Sequence, residues 1–330
     1  MKKILIIVML LLLSATVSFA AESDVTKLTA ACVQVPTDVY AVGLHAFADR
    51  VKYLSGGKLI IDVYDSAQLY AQDAELNALR QGLTDIGMIS MEAYPEIRYA
   101  GMFKSAFLFS DWDHAKRFYS SEFGQALYKD FSDKMGVLSL GAMLKGHDLV
   151  NLRDIGRSVT TPQDLKGVKL RMPDHPDWLA LGEALGANAT PLGFNEVYMG
   201  LKTGTIDGQC NGFATTYHMK FYEVTKSFVK TGHFLLIFHP AINTKRWESL
   251  SDEQRGWIQT ASDEMCDFVS NETVKQENEY EKLFKELGKE IIEPDKQAFI
   301  EYAANYYKNN KKLTKYWDWD LYKKVKDMAD

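Results

Sequence analysis

The sequence predicts an α/β fold of two lobes joined by a long helix that spans both. Three observations carry that expectation: a strand-helix-strand-helix-strand pattern from Lys27 to Ile89, a second α/β unit from Thr161 to Gly208, and unbroken helical periodicity from Ser251 toward Leu287. In the first unit, Lys27 to Val33 is a short β run, and Asp38 caps a helix whose Tyr40, Leu44, Phe47, Val51 and Leu54 recur on one face. Gly56-Gly57 stops it. Lys58 to Tyr64 is a strand, Asp73 opens a helix with Leu76 and Leu79 inward, Gly82 ends that helix, and Ile86 to Ile89 is the third strand. Such a succession implies parallel strands joined by right-handed crossovers.

The pattern restarts after a middle segment rich in Phe103, Phe107, Leu108, Phe109 and Trp112. Thr161-Pro162-Gln163-Asp164 reads as a capped helical turn, Val168 to Met172 as a strand, Asp177 to Leu185 as a helix with Trp178, Leu181 and Leu185 inward, and Ala189 to Leu192 as an extended piece. Asn195 caps a helix through Lys202, Gly204 breaks it, and Thr205 to Gly208 enters a strand. Ser251-Asp252-Glu253-Gln254 is a capping box. The helix it opens runs for more than thirty residues, about 50 Å, which is too long for one lobe. The expected division is residues 1–20 as a leader, 21–150 mainly the first lobe, 151–240 mainly the second, and 241–330 the long helix plus C-terminal helices packing on both.

Composition narrows the function. The chain has 330 residues with 46% hydrophobic and 25% charged side chains, so a sizeable core is expected and no tract is biased toward disorder. Lys2 and Lys3, the apolar run from Ile4 to Leu13, and Ser18-Phe19-Ala20 form a secretory signal with cleavage after Ala20. The remaining chain carries 36 basic and 44 acidic residues. That balance disfavours nucleic acid and anionic membrane surfaces. Cys32, Cys210 and Cys266 are an odd number for an oxidising compartment and read as buried small hydrophobes. No metal-ligand spacing, nucleophile elbow, phosphate loop or dinucleotide fingerprint is present, so no metal and no cofactor are expected. Two α/β lobes enclose a cleft, and open parallel sheets place ligands at the carboxyl ends of their strands. These features leave a periplasmic binding protein or a secreted enzyme.

The motifs separate the two. Asp164-Leu-Lys-Gly-Val-Lys-Leu-Arg171-Met-Pro173, Ala184-Leu-Gly-Ala-Asn-Ala-Thr-Pro-Leu-Gly-Phe194-Asn-Glu-Val-Tyr198 and Leu201-Lys-Thr-Gly-Thr-Ile-Asp-Gly-Gln209-Cys-Asn211 stand in sequence order, preceded by Gly82-Leu-Thr-Asp-Ile-Gly87 and Phe107-Leu-Phe-Ser-Asp-Trp-Asp-His-Ala115. Together they resemble the solute-binding proteins of tripartite ATP-independent periplasmic (TRAP) transporters, the DctP family, over essentially the whole chain after the leader. The resemblance implies a type II-like periplasmic binding fold, no enzymatic activity, and delivery of a small organic anion to the small and large membrane subunits of an ion-driven transporter. A carboxylate is the expected anion, with sulfonate and amino or hydroxy acids also compatible. The rival readings are a receptor for an ATP-driven transporter or sensor, and a secreted α/β enzyme.

Arg171 is the leading site candidate. It closes a strand just before Pro173, where a guanidinium can offer a planar carboxylate two parallel hydrogen bonds; the alternative is a surface arginine at a strand end. The resemblance implies the clamp. It also implies that Asn211 orients the same carboxylate and that Phe194 covers the apolar part of the solute. Ser90, Met91 and Glu92 follow the third strand and should face the cleft, with Tyr70 and Tyr94 weaker candidates on loops. Trp178 fits core packing or the cleft. Two departures from the family pattern stand out. Gly146-His147-Asp148 replaces a usual Gly-Phe-Arg, so a supplementary arginine is missing; Asp148 would receive a hydroxyl or ammonium of the solute, or pair with Lys145 or Arg153, and His147 is a contact or a plain loop residue. Cys210 and Gly212 replace Glu and Pro around Asn211, which is expected to loosen that loop.

Overall fold

The computed structural model describes residues 25–90 and 94–329. The leader at 1–20 and the candidates Met91 and Glu92 lie outside the described residues. Among the described residues ten strands run in chain order as β1 (Thr26–Ala31), β2 (Leu59–Tyr64), β3 (Ile86–Ile89), β4 (Val137–Ser139), β5 (Met143–Leu152), β6 (Lys169–Met172), β7 (Asn188–Pro191), β8 (Gly208–Asn211), β9 (Ser227–Asn243) and β10 (Glu290–Ile292). Their spatial order is β2-β1-β3-β9-β5-β8-β6-β7, with β4 and β10 also pairing β9. β1 is parallel to β2 and β3, as the first β-α-β-α-β unit requires. In the second lobe β6 is parallel to β7 and β8.

Two long antiparallel strands connect the lobes. The C-terminal end of β9 pairs with β3 through Ile86 opposite Ile242, while its N-terminal part pairs with β5 and β10. The register between β5 and β9 shifts at Leu144/Gly146 and again at Asp148/Val150. Bulges of this kind bend a strand and re-aim its side chains. They sit where β5 passes from one lobe to the other, and Asp148 lies beside one of them.

The helix Val39–Leu54 begins as expected, with the Asp38 carboxylate accepting the Tyr40 N–H at 3.0 Å, and it buries Tyr40, Leu44, Phe47 and Val51. Its Gly43 meets the long helix so closely that a Cβ there would stand 2.4 Å from Val269 Cγ2. The next helix, Glu75–Gln81, departs from expectation at its start. Its cap residue is Ala74, with no side-chain hydrogen bond, so Asp73 does not cap it and Glu75 turns into the interior instead.

The long helix is Asp252–Glu286, 35 residues. Ser251 Oγ accepts the Gln254 N–H and Gln254 Oε1 accepts the Ser251 N–H, the reciprocal pair that its sequence announces. One end buries Ile258, Ala261, Met265 and Val269 in the core of the first lobe. The far end buries Phe284 with Leu149, Phe213 and Phe228 in the second. At about 1.5 Å per residue it reaches across both. The C-terminal helices Lys296–Asn309 and Trp319–Lys326 add Phe299, Tyr307 and Val325, and the turn between them adds Trp317, to a core that also holds Phe103, Phe118 and Leu181. Among the described residues no helix is long and apolar enough to cross a membrane.

Candidate functional site

A cleft of about 850 Å³ opens between the lobes. Its walls follow from the topology, because most are loops at the carboxyl ends of parallel strands: Val33 and Gln34 after β1, Gln72 to Asn77 after β2, Ile89 and Ser90 at the end of β3, Pro173 to His175 after β6, Leu192 to Glu196 after β7, and Asn211 at the end of β8. The connecting strands supply Lys145, Asp148, Leu236 and Phe238.

Arg171 is on β6, between β7 and β8, and only 3% of it is exposed. Its Nε donates to the Leu192 carbonyl at 2.8 Å, and Nη2 donates to Gln72 Oε1 at 3.2 Å across the cleft. The guanidinium carbon lies 5.8 Å from the Phe194 ring centre. Among the described residues Nη1 has no hydrogen-bond partner and no carboxylate pairs with the group. Burial lowers its pKa to about 10, against the pull of Asp148 and Glu196, so it stays a cation at neutral pH. A buried positive charge held only by neutral oxygens is costly, and an anion arriving from solution would offset that cost.

Lys145 behaves differently. Its ammonium donates to both Asp38 oxygens at 2.8 Å, and the pair is almost wholly buried. With Lys145 taken by Asp38, Asp148 does not receive it: Asp148 is 2% exposed and its Oδ1 has no hydrogen-bond partner among the described residues. Burial first, and Glu277 second, raise the Asp148 carboxyl to about 7, while Lys104, Lys145 and Arg171 act downward. Glu75, also in the cleft wall, accepts the Met88 N–H and is pushed by burial to about 8.

The remaining sequence candidates divide. Asn211 lines the cleft, its amide donating to Gln209 Oε1 at 2.5 Å and its carbonyl accepting from Asn151 Nδ2 at 2.9 Å. The loop after it is not loose, in contrast to the expectation from Gly212. A Cβ at Gly212 would lie 2.4 Å from Glu277 Oε1; the bare glycine lets that carboxylate accept the Phe213 and Ala214 N–H groups at 3.1 Å each. Phe194 lines the cleft and packs edge-on against Phe221 at 6.0 Å. Trp178 does both things considered for it: it belongs to the core cluster and faces the cleft, with the Lys104 ammonium 4.9 Å from its ring centre. Ser90 lines the cleft and accepts a hydrogen bond from Lys104. Tyr94 lines it as well.

Tyr70 and His147 are not among the lining residues. The Tyr70 hydroxyl is spent on the Leu83 carbonyl at 3.1 Å. His147 neighbours Asp148 in β5, and successive strand side chains point to opposite faces; burial and then Lys296 lower its pKa, on the side of Ser110 and Asp111 rather than of the cleft. Glu75, Gln72 and the Lys145–Asp38 pair were not anticipated as cleft features. Glu75 had a signal: it stands four residues before the inward Leu79, on the same helical face. No cluster of three or more metal-ligating side chains occurs among the described residues, and Cys32, Cys210 and Cys266 are free and buried.

Comparison with known proteins agrees with this architecture. The pattern of the family described as "DctP: Bacterial extracellular solute-binding protein, family 7" matches residues 31–313. The sialic acid-binding periplasmic protein SiaP of Vibrio cholerae is 30% identical over 304 residues, covering 89% of this chain and 92% of SiaP. The C4-dicarboxylate-binding periplasmic protein DctP of the same species is 29% identical, covering 78% of this chain and 74% of that protein. A TRAP periplasmic solute-binding protein of Roseobacter denitrificans, solved with bound 3-deoxy-D-manno-oct-2-ulosonic acid, superposes with a TM-score of 0.86 at 31% identity, covering 92% of this chain and all of that one. With its two lobes, its spanning helix and its cleft at the strand ends, this chain belongs to the DctP family of TRAP-transporter periplasmic solute-binding proteins, receptors that capture a small organic anion and catalyse no reaction.

Proposed function

We propose that this receptor holds a hydroxylated monocarboxylate, of the sugar-acid class, by its carboxylate on Arg171. The observation that carries the reading is the buried guanidinium with, among the described residues, one free donor edge and no carboxylate partner. Lys145 is the other lysine or arginine lining the cleft, and Asp38 neutralises it. A second carboxylate on the solute would therefore meet acidic walls, which argues against a C4-dicarboxylate. Of the similar proteins, one binds C4-dicarboxylates by name, whereas the two at 30% and 31% identity have sialic acid by name and a bound ulosonic acid, both monocarboxylates rich in hydroxyls. Gln34, Gln72, Asn77, Asn211 and Thr215 provide amides and a hydroxyl around the cleft, suited to such a ligand.

In this reading Asn211 fixes the carboxylate plane, Phe194 and Trp178 cover the carbon skeleton, and Ser90, Met91 and Glu92 are further contacts of the solute. The closed form is handed to the small and large membrane subunits of a TRAP transporter. Residues 1–20 direct export and are removed after Ala20, and the first lobe is drawn mainly from 21–150, the second mainly from 151–240.

Thermal-shift screening of the purified protein against sugar acids, other hydroxy acids and dicarboxylates tests the reading. At least one monocarboxylate should raise the melting temperature in a saturable way, and Arg171→Ala should abolish the shift. Stabilisation by dicarboxylates alone, or a shift that survives Arg171→Ala, would overturn it.

A further inference from the structure

The charges of the cleft specify more than an anion. Among the described residues five acidic side chains line it, Asp73, Glu75, Asp148, Asp174 and Glu196; burial keeps Glu75 largely protonated at neutral pH, and the other four stand against Arg171 and a lysine already neutralised by Asp38. A plain monoanion bound on Arg171 would add negative charge to walls that already carry an excess of it, whereas a zwitterion would add none. Asp148 is the member of that set whose chemistry is unfinished. It is buried to 98%, one oxygen has no donor among the described residues, and it stands on β5 opposite Phe234, where the register with β9 shifts just after it.

The sheet gives the spacing. β8 lies between β5 and β6, with Leu149 opposite Asn211 and Arg171 opposite Gln209. Arg171 is level with Asn151 of β5, since both oppose Gln209, and Asp148 stands three residues farther along; Asp148 and Arg171 are thus based about 14 Å apart, from two inter-strand steps and three residues along the strand. Several carbons bridge such a gap, so the two groups address opposite ends of one solute. An α-amino acid, with both charges at one end, does not match.

We propose that the solute is an amino carboxylate whose primary ammonium, several carbons from the carboxylate held by Arg171, docks on Asp148. This rests on the carboxylate reading above and adds the second pole. An ammonium supplies three donors and no acceptor, which suits a buried carboxylate oxygen that lacks one. It also supplies the positive charge that keeps Asp148 ionised against its burial.

Matched pairs test the proposal: 5-aminopentanoate against 5-hydroxypentanoate, and 6-amino-6-deoxygluconate against gluconate, titrated by calorimetry into the native protein, Asp148→Asn and Arg171→Ala. In the native protein the amine-bearing member of a pair should bind about tenfold tighter or more, and Asp148→Asn should shrink that ratio to about threefold or less. Equal or weaker binding of the amine-bearing members to the native protein overturns the proposal, as does a ratio that persists in Asp148→Asn. The native ratio decides even if Asp148→Asn does not fold. Arg171→Ala keeps the two claims apart: it should weaken both members of a pair alike, and a variant that still binds both at native affinity while preferring the amine would refute the carboxylate clamp and leave the ammonium site standing. Failure of every pair to bind would refute the ammonium site, and a gluconate-type acid found in the wider screen would then still support the clamp.

Discussion

Lys145 and Arg171 are both buried cations in the wall of one cleft, and they have been treated in opposite ways. Lys145 lies on a connecting strand and gives two hydrogen bonds to Asp38, the residue that also caps the helix Val39–Leu54. Arg171 lies at a strand end, and among the described residues it hydrogen-bonds only a backbone carbonyl and the neutral amide of Gln72. The first is a structural tie whose charge is satisfied within the chain. The second is kept unsatisfied, and its position at the carboxyl end of a parallel strand is where such folds receive ligands. Burial alone does not distinguish the two residues; what each one faces does.

That contrast can be broken at either end. Lys145→Met should cost about 3–5 kcal/mol of stability, because it leaves the Asp38 carboxylate buried without its partner. Chemical denaturation would read this as a lower midpoint, and an unchanged midpoint would make the pair dispensable. Arg171→Lys should leave the midpoint close to native yet weaken binding by about 1.5–3 kcal/mol, the worth of a charge-assisted hydrogen bond that a point charge placed differently does not recover. Calorimetry with a bound monocarboxylate checks it, and native-like affinity would show that the fork geometry is not used.

A third variant addresses the joint between the first lobe and the spanning helix. Gly43→Ala would drive a methyl group into Val269 and should destabilise by about 1–3 kcal/mol, as overpacking does. Gly256, on the same long helix with open space around it, is the control.

The smallest expected effect is on pH dependence. Burial raises Glu75 to about 8 and Asp148 and Glu277 to about 7. In the unfolded chain these carboxyls titrate near 4, so the folded state holds extra protons above that pH. The stability this gives is complete at low pH and is lost as pH rises through 7 to 8. His114, His147, His218, His233 and His239, all lowered by burial, work in the opposite sense as long as unfolded histidine, which titrates at about 6.5, still binds a proton. Above about pH 7.5 that opposing effect has faded, and the melting temperature of the free protein should fall toward pH 8. Glu75→Gln should flatten that slope. A slope unchanged by the substitution would mean that Glu75 is ionised at neutral pH.

Sequence and structure agree most where the signal is local. Asp38 and Ser251 announce helical starts because each side-chain oxygen and the N–H it satisfies are at most three residues apart, and at Thr161 the accepting oxygen is that of Asp164, three residues on. The two α/β units and the helix from Ser251 follow from periodicity for the same reason. The site was legible in part: the strand-end position of Arg171 before Pro173 is a sequence feature, and the resemblance pointed to Phe194 and Asn211. What holds them is not local. Gln72 meets Arg171 across 99 positions, Asp38 meets Lys145 across 107, and Glu277 reaches the helix start after Gly212 across 64. No periodicity encodes those meetings; they depend on how the lobes and the long helix pack. The displacement of His147 from the cleft has a simpler origin, since choosing between adjacent strand residues requires knowing which face of β5 looks inward.

The most direct measurement is a crystal structure of the protein with a stabilising carboxylate bound. The account predicts both oxygens of the ligand carboxylate on the guanidinium of Arg171, with Nη1 engaged and the Gln72 contact kept or replaced by the solute. A ligand whose carboxylate sits on another group, while Arg171 remains attached only to Leu192 and Gln72, would contradict it.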